Sequence, residues 1–129
     1  MNIQNRIDSG LQNDGQIIFL LAEQAEKIQG IPSGKMITDS DNLSFVYLLE
    51  AEAGYEHLHF TQAVWPLMVE ALKTDLVPVL SWKDEIIALP GFKDELTMLI
   101  YNIEGNDNYG ETFSSAVEQA FSSILQHME

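Results

Sequence analysis

The chain has 129 residues, 46% of them hydrophobic, and no cysteine; this suffices for one domain and excludes disulfides, thiolate metal sites and cysteine catalysis. Six Lys+Arg against twenty Asp+Glu give a formal net charge of −14. That argues against binding nucleic acid or anionic membranes, both of which need cations, and leaves a basic protein as the expected partner or solubility alone as the reason for the charge.

The longest apolar run, Ile17 to Ala22, is far short of the ~20 residues a membrane span needs. The start, MNIQNRIDSG, has no apolar segment behind a basic one, so a cytoplasmic location is expected.

In chain order, Asn2 to Asp8 alternates as a strand, and Ser9-Gly10 and Asn13-Asp14-Gly15 read as turns. Gln16 to Leu21 is a strand or the start of a helix, because Ile17, Leu21, Ala25 and Ile28 also sit at helical spacing. Gly30, Pro32, Ser33 and Gly34 end that segment. Lys35 to Thr38 is a strand, Asp39 to Asn42 a turn, and the nearly all-apolar LSFVYLL from Leu43 a central strand covered on both faces. Gly54 turns a hairpin into Tyr55–Phe60. Thr61 is placed to cap a helix to Lys73, with Pro66 in its first turn and a stripe of Val64, Met68, Ala71 and Leu72. Leu76 to Trp82 is a strand that Pro78 assigns to an edge or a bulge. After the turn Lys83 to Glu85, Ile86 to Leu89 is a further strand. Pro90-Gly91 opens a helix with stripe Phe92, Leu96, Leu99, Ile100 and Ile103, and a last helix carries Phe113, Val117, Ala120, Phe121 and Ile124.

GNDNYGET, Gly105 to Thr112, has the glycine spacing of a phosphate-binding loop, but Glu111 stands where the lysine belongs and a helix, not a strand, precedes it. An EF-hand register puts Gly105 and Ala116 at positions that need carboxylates. The stretch reads instead as a helical connector, with Gly105 ending one helix and Asn108 and Glu111 capping the next.

On a strand, His57 and His59 share a face, an arrangement that can hold a metal ion; Asp39, Asp41 or His127 could supply a third ligand. Asp39 and Asp41 otherwise belong to a turn. No G-x-S-x-G elbow is present; Trp65 and Trp82 could mark a binding surface, though core packing is the commoner use of tryptophan. After Lys93 there is no Lys or Arg, while Asp94, Glu95, Glu104, Asp107, Glu111, Glu118 and Glu129 follow.

Three stretches together, Thr38-Asp39-Ser40-Asp41 into FVYLLE, Ala63-Val64-Trp65-Pro66, and Asn102 to Gly110, resemble the YjbL-like family of short acidic uncharacterised proteins from Bacillus and its relatives. The likeness runs from Gly34 to Phe121. It implies a cytosolic protein of Gram-positive origin and carries over no catalytic residue.

The expected architecture is a single α+β domain over residues 1–129. A mostly antiparallel sheet of about five to seven strands has one helix between strands, and a C-terminal helical hairpin packs on one face. The expected function is a non-enzymatic interaction or regulatory module, monomeric or homodimeric, without cofactor. Asp94, Glu95, Asp107, Tyr109, Glu111 and Glu118 are its candidate partner-binding residues. The alternative is a metal-binding protein or metal-dependent enzyme using His57 and His59.

Overall fold

The structure is a computed structural model and describes residues 5–21 and 29–125. Its elements are β1 (Arg6–Ile7), β2 (Ser9–Asn13), β3 (Gln16–Leu20), β4 (Ile31–Asp39), β5 (Ser44–Ala51), β6 (Gly54–Thr61), α1 (Trp65–Lys73), β7 (Val79–Trp82), β8 (Glu85–Ala88), α2 (Phe92–Ile103), α3 (Glu111–Ala120) and α4 (Ser122–Leu125). The protein is α+β. Its strands form two four-stranded sheets, one ordered β1-β6-β5-β4 and the other β2-β3-β7-β8. Pairing is antiparallel except for β1 with β6 and β3 with β7. The chain first passes between the sheets at Asp8, the one residue separating β1 from β2, and passes again between β3 and β4 and between β6 and β7.

Side chains from both sheets and three helices meet in one core. Phe45 of β5 lies 5.3 Å from Trp65 of α1, 5.9 Å from Phe113 of α3 and 5.7 Å from Phe121. A second aromatic group joins the sheets: Phe19 of β3 meets Phe60 of β6 edge-on at 4.9 Å, and Phe92 of α2 lies 5.5 Å and 5.4 Å from the two. Ring pairs at such distances and tilts add to the stabilisation from burial. The apolar stripes explain the helices: Phe92, Leu96, Leu99, Ile100 and Ile103 of α2 are all buried, as are Val64, Met68 and Ala71 in and before α1. β5 is buried on both faces from Ser44 to Leu49, as its composition predicts.

Several local expectations are corrected. Ser9-Gly10 is not a turn but the start of β2, paired with Leu20 and Phe19. Gly10 serves close approach: a Cβ there would meet Ile18 O and Leu67 Cδ1 at 2.7 Å each. Asp14-Gly15 is the turn, with φ of 52° and 83° at its two central residues, as a two-residue hairpin requires. Pro32, Ser33 and Gly34 do not end a segment; they form a bulge inside β4, where Gly34 takes φ +78°. Pro78 marks neither an edge nor a bulge. β7 begins one residue later and lies inside its sheet. Gln16–Leu20 is strand, and the remainder of the ambiguous stretch, residues 22–28, lies outside the described residues, as do residues 1–4 of the expected first strand.

Thr61 makes no cap to α1; its hydroxyl donates to Ile7 O and to Asp8 Oδ1. The expected last helix breaks at Phe121 into α3 and α4, and Ala120 of its stripe is exposed. Asn108 does not cap α3. Gly110 occupies that position at φ +88°, and the connector is held by other side chains: Glu118 accepts the Gly105 N–H at 2.7 Å, and the Ser114 hydroxyl donates to Asn106 O at 2.9 Å.

Candidate functional site

The period-two geometry of β6 puts His57 and His59 on the sheet face turned away from the core, with ring centroids 6.2 Å apart. The register places Arg6 and Val46 beside His59, and Ser44 beside both Thr61 and Asp39. A cleft of about 330 Å³ opens there, lined by Arg6, Asp8, Asn42, Ser44, His59 and Thr61 among others. The Asp8 carboxylate accepts from the Arg6 guanidinium at 3.3 Å and from the Thr61 hydroxyl at 2.7 Å. Arg6 is the single arginine of the chain.

Two polar atoms of this cleft, Ser44 Oγ and His59 Nδ1, are buried and find no hydrogen-bond partner among the described residues. A nucleophilic serine needs a bond to its base, and the base needs an orienting group. Neither is formed: Ser44 is unbonded, and Asp39 Oδ2 stands 4.0 Å from His59 Nδ1. The arrangement is a polar recess rather than a wired catalytic set. Among the described residues no group of three or more His, Asp, Glu or Cys is placed to hold a metal ion. Asp41 is exposed on its turn, and His127 lies outside the described residues.

Burial pushes the His59 imidazole below its ordinary pKa of 6.5; Asp39 opposes this, while His57 and Arg6 add to it. The folded state therefore prefers neutral His59 more than the unfolded chain does. Stability from this preference is fully present above pH 6.5 and is lost as pH falls through the lower folded pKa. Melting temperature measured against pH should fall more steeply below pH 6.5 in the parent protein than in His59→Gln, and parallel curves would sink this account.

The candidate partner-binding residues are not gathered into one patch. Asp94 and Glu95 begin α2, and Glu111 begins α3; Asp94 and Glu111 are exposed. Glu95 is half-buried, and its Oε1 accepts the Met36 N–H of edge strand β4 at 3.1 Å. Glu118 holds Gly105 as described. Tyr109 is half-buried with its ring 6.4 Å from Phe113, and Asp107 starts the 3₁₀ turn Asp107–Tyr109. Two residues that pattern reading passed over have structural duties of the same kind. Glu56 Oε1 accepts the N–H groups of Gln29 and Gly30, and the Tyr47 hydroxyl links Gly34 to Pro90. No local motif marks either, because each partner is at least thirteen residues away in sequence.

No solved structure matches the chain. A protein from Lysinibacillus sphaericus is 44% identical over 110 residues, covering 85% of this chain and 87% of that protein. A Bacillus cereus protein is 35% identical over 122 residues, covering 92% and 99%. The Bacillus subtilis protein YjbL is 34% identical over 121 residues with the same coverage. The family model described as a family of unknown function, UPF0738, matches residues 5–121, and with these relatives it shows that the chain belongs to the UPF0738 family.

Proposed function

We propose that residues 1–129 form a single non-enzymatic interaction or regulatory module of the cytoplasm that presents its C-terminal acids to a basic protein. One observation carries this reading: among the described residues no ion pair joins a Lys or Arg to an acid after Lys93. Among the described residues the ion pairs of Lys and Arg are Arg6 with Asp8 and Lys73 with Glu70. Two further cations are engaged elsewhere, Lys93 with the Thr74 carbonyl and Lys83 over the Trp82 ring at 4.7 Å. Uncompensated surface charge of one sign steers a partner of the other.

Because Glu95 and Glu118 hold backbone groups, the test leaves them in place. Asp94→Asn, Glu104→Gln and Glu111→Gln remove exposed charge. Host proteins retained on the immobilised parent chain at low salt should elute at high salt and should not be retained by the triple variant. Equal retention by both would overturn the reading. Rim charges of this kind act mainly on association rate, so a loss of about tenfold or more is expected.

A further inference from the structure

We propose that the cleft between Arg6 and Ser44 binds a free α-amino acid with a carboxamide side chain. Its carboxylate meets Arg6, its ammonium meets Asp8, and its side-chain amide bridges Ser44 and His59. At about 330 Å³ the cleft is at the low end of small-molecule sites, roughly 300–1,000 Å³, so it suits a metabolite rather than a polymer. Every residue that lines it is among those described.

The floor carries unpaired polar atoms. Ser44 is 1% exposed, and among the described residues neither its hydroxyl nor His59 Nδ1 has a hydrogen-bond partner. A buried hydroxyl left unpaired costs free energy that alanine in its place would not. The ladder sets Ser44 opposite Thr61 and His59 opposite Val46, so Ser44 and His59 are diagonal neighbours on one face. Backbones so related are roughly 7–8 Å apart, and a planar amide can span that gap with two hydrogen bonds of ~2.9 Å. A serine hydroxyl donates and accepts, and a neutral imidazole nitrogen does one or the other according to tautomer. A carboxamide offers both a carbonyl and an NH₂ group, and so answers either tautomer. Burial favours the neutral imidazole here, which makes an uncharged end group the better match than a carboxylate or an amine.

The mouth carries one charge of each sign. Arg6 and Asp8 alternate on the exposed face of one strand segment and pair at 3.3 Å, longer than a charge-assisted hydrogen bond. Asp8 Oδ1 takes the bonds from both Arg6 and Thr61, and its Oδ2 takes none among the described residues. An anion alone would meet Asp8 beside Arg6, and a cation alone would meet Arg6 beside Asp8. A molecule that holds a carboxylate and an ammonium on one carbon satisfies both. Leu43 and Ala63 add apolar wall against its methylene groups. None of these residues is among the acids of the proposed partner surface, so either reading can fail alone.

The test is heteronuclear NMR of the isotope-labelled full chain titrated with L-glutamine and L-asparagine. At least one should give saturable shifts at the Ser44, His59 and Thr61 amides. N-acetyl-L-glutamine, which lacks the ammonium, and L-glutamate, which lacks the amide, should each bind about tenfold more weakly or worse, as should L-glutamine to Arg6→Gln. Ser44→Ala should weaken binding and yet melt at a higher temperature than the parent, because it removes the unpaired hydroxyl. No saturable shift with either amide overturns the proposal. So does equal binding of N-acetyl-L-glutamine or L-glutamate, or unchanged binding in Arg6→Gln. A Ser44→Ala chain that melts below the parent also overturns it, since the hydroxyl would then be satisfied within the protein or by a bound water.

Discussion

Replacing Trp65 by alanine should lower the unfolding free energy by about 3–5 kcal/mol, the largest loss expected from any single truncation in this core. Trp65 is 1% exposed, the largest of the fully buried side chains. Its ring touches Phe45 of β5, Phe113 of α3 and Phe121, at 5.3, 6.1 and 5.9 Å, so it ties the sheet to both C-terminal helices. Its indole N–H donates to the Phe60 carbonyl at 3.2 Å, which would lose its partner along with the packing. Trp65→Phe separates the two contributions: it keeps a ring among the other three and loses the hydrogen bond and part of the volume, for about 1–3 kcal/mol. Urea denaturation followed by far-UV circular dichroism measures both. If Trp65→Ala costs less than Trp65→Phe should, the aromatic group does not join sheet to helices as described.

Trp65 lies outside the stripe that predicts α1, Val64, Met68, Ala71 and Leu72, and its burial is a finding of the structure; periodicity places other elements. A stripe at helical spacing, as in α2, or an unbroken apolar run, as in β5, has one burial solution, and both elements form where the pattern puts them. Glycine was harder because one residue type answers several needs. Gly15 completes a turn, Gly10 makes room for Leu67 and the Ile18 carbonyl, and Gly34 sits in a bulge; only the first is a property of its immediate neighbours. The division into two sheets depends on where the chain crosses at Asp8 and on two parallel pairings between distant strands, neither of which leaves a local trace.

The candidate sites divide in the same way. His57 and His59 share a face because strand geometry demands it, and alternation alone shows that. Arg6 and Ser44 join them only through the pairings of β6 with β1 and β5. The acidic balance is visible in the composition, but which acids are free is not. Glu95 and Glu118 are committed to the Met36 and Gly105 N–H groups, while Asp94 and Glu111 remain exposed.

Gly91→Ala should destabilise the protein by about 2–4 kcal/mol, although it adds a single methyl group. Gly91 immediately precedes α2 at φ +76°, a left-handed conformation that costs alanine ~1 kcal/mol or more. The second cost is contact. A Cβ there would stand 2.7 Å from Gly34 O and 3.0 Å from Gly34 Cα, and these are backbone atoms of the β4 bulge. The bulge cannot step aside freely, because the Tyr47 hydroxyl clamps the junction, accepting from the Gly34 N–H at 3.2 Å and donating to Pro90 O at 2.6 Å. Either α2 tilts away from β4, which also pulls Glu95 from the Met36 N–H, or the clamp opens. Gly105→Ala is the control. Its φ of +67° carries a similar conformational cost, but nothing lies within 4 Å of the added Cβ. The difference between the two variants, read from matched denaturation curves, therefore isolates the close approach of α2 to β4, and equal losses would mean that the helix start and the bulge do not meet.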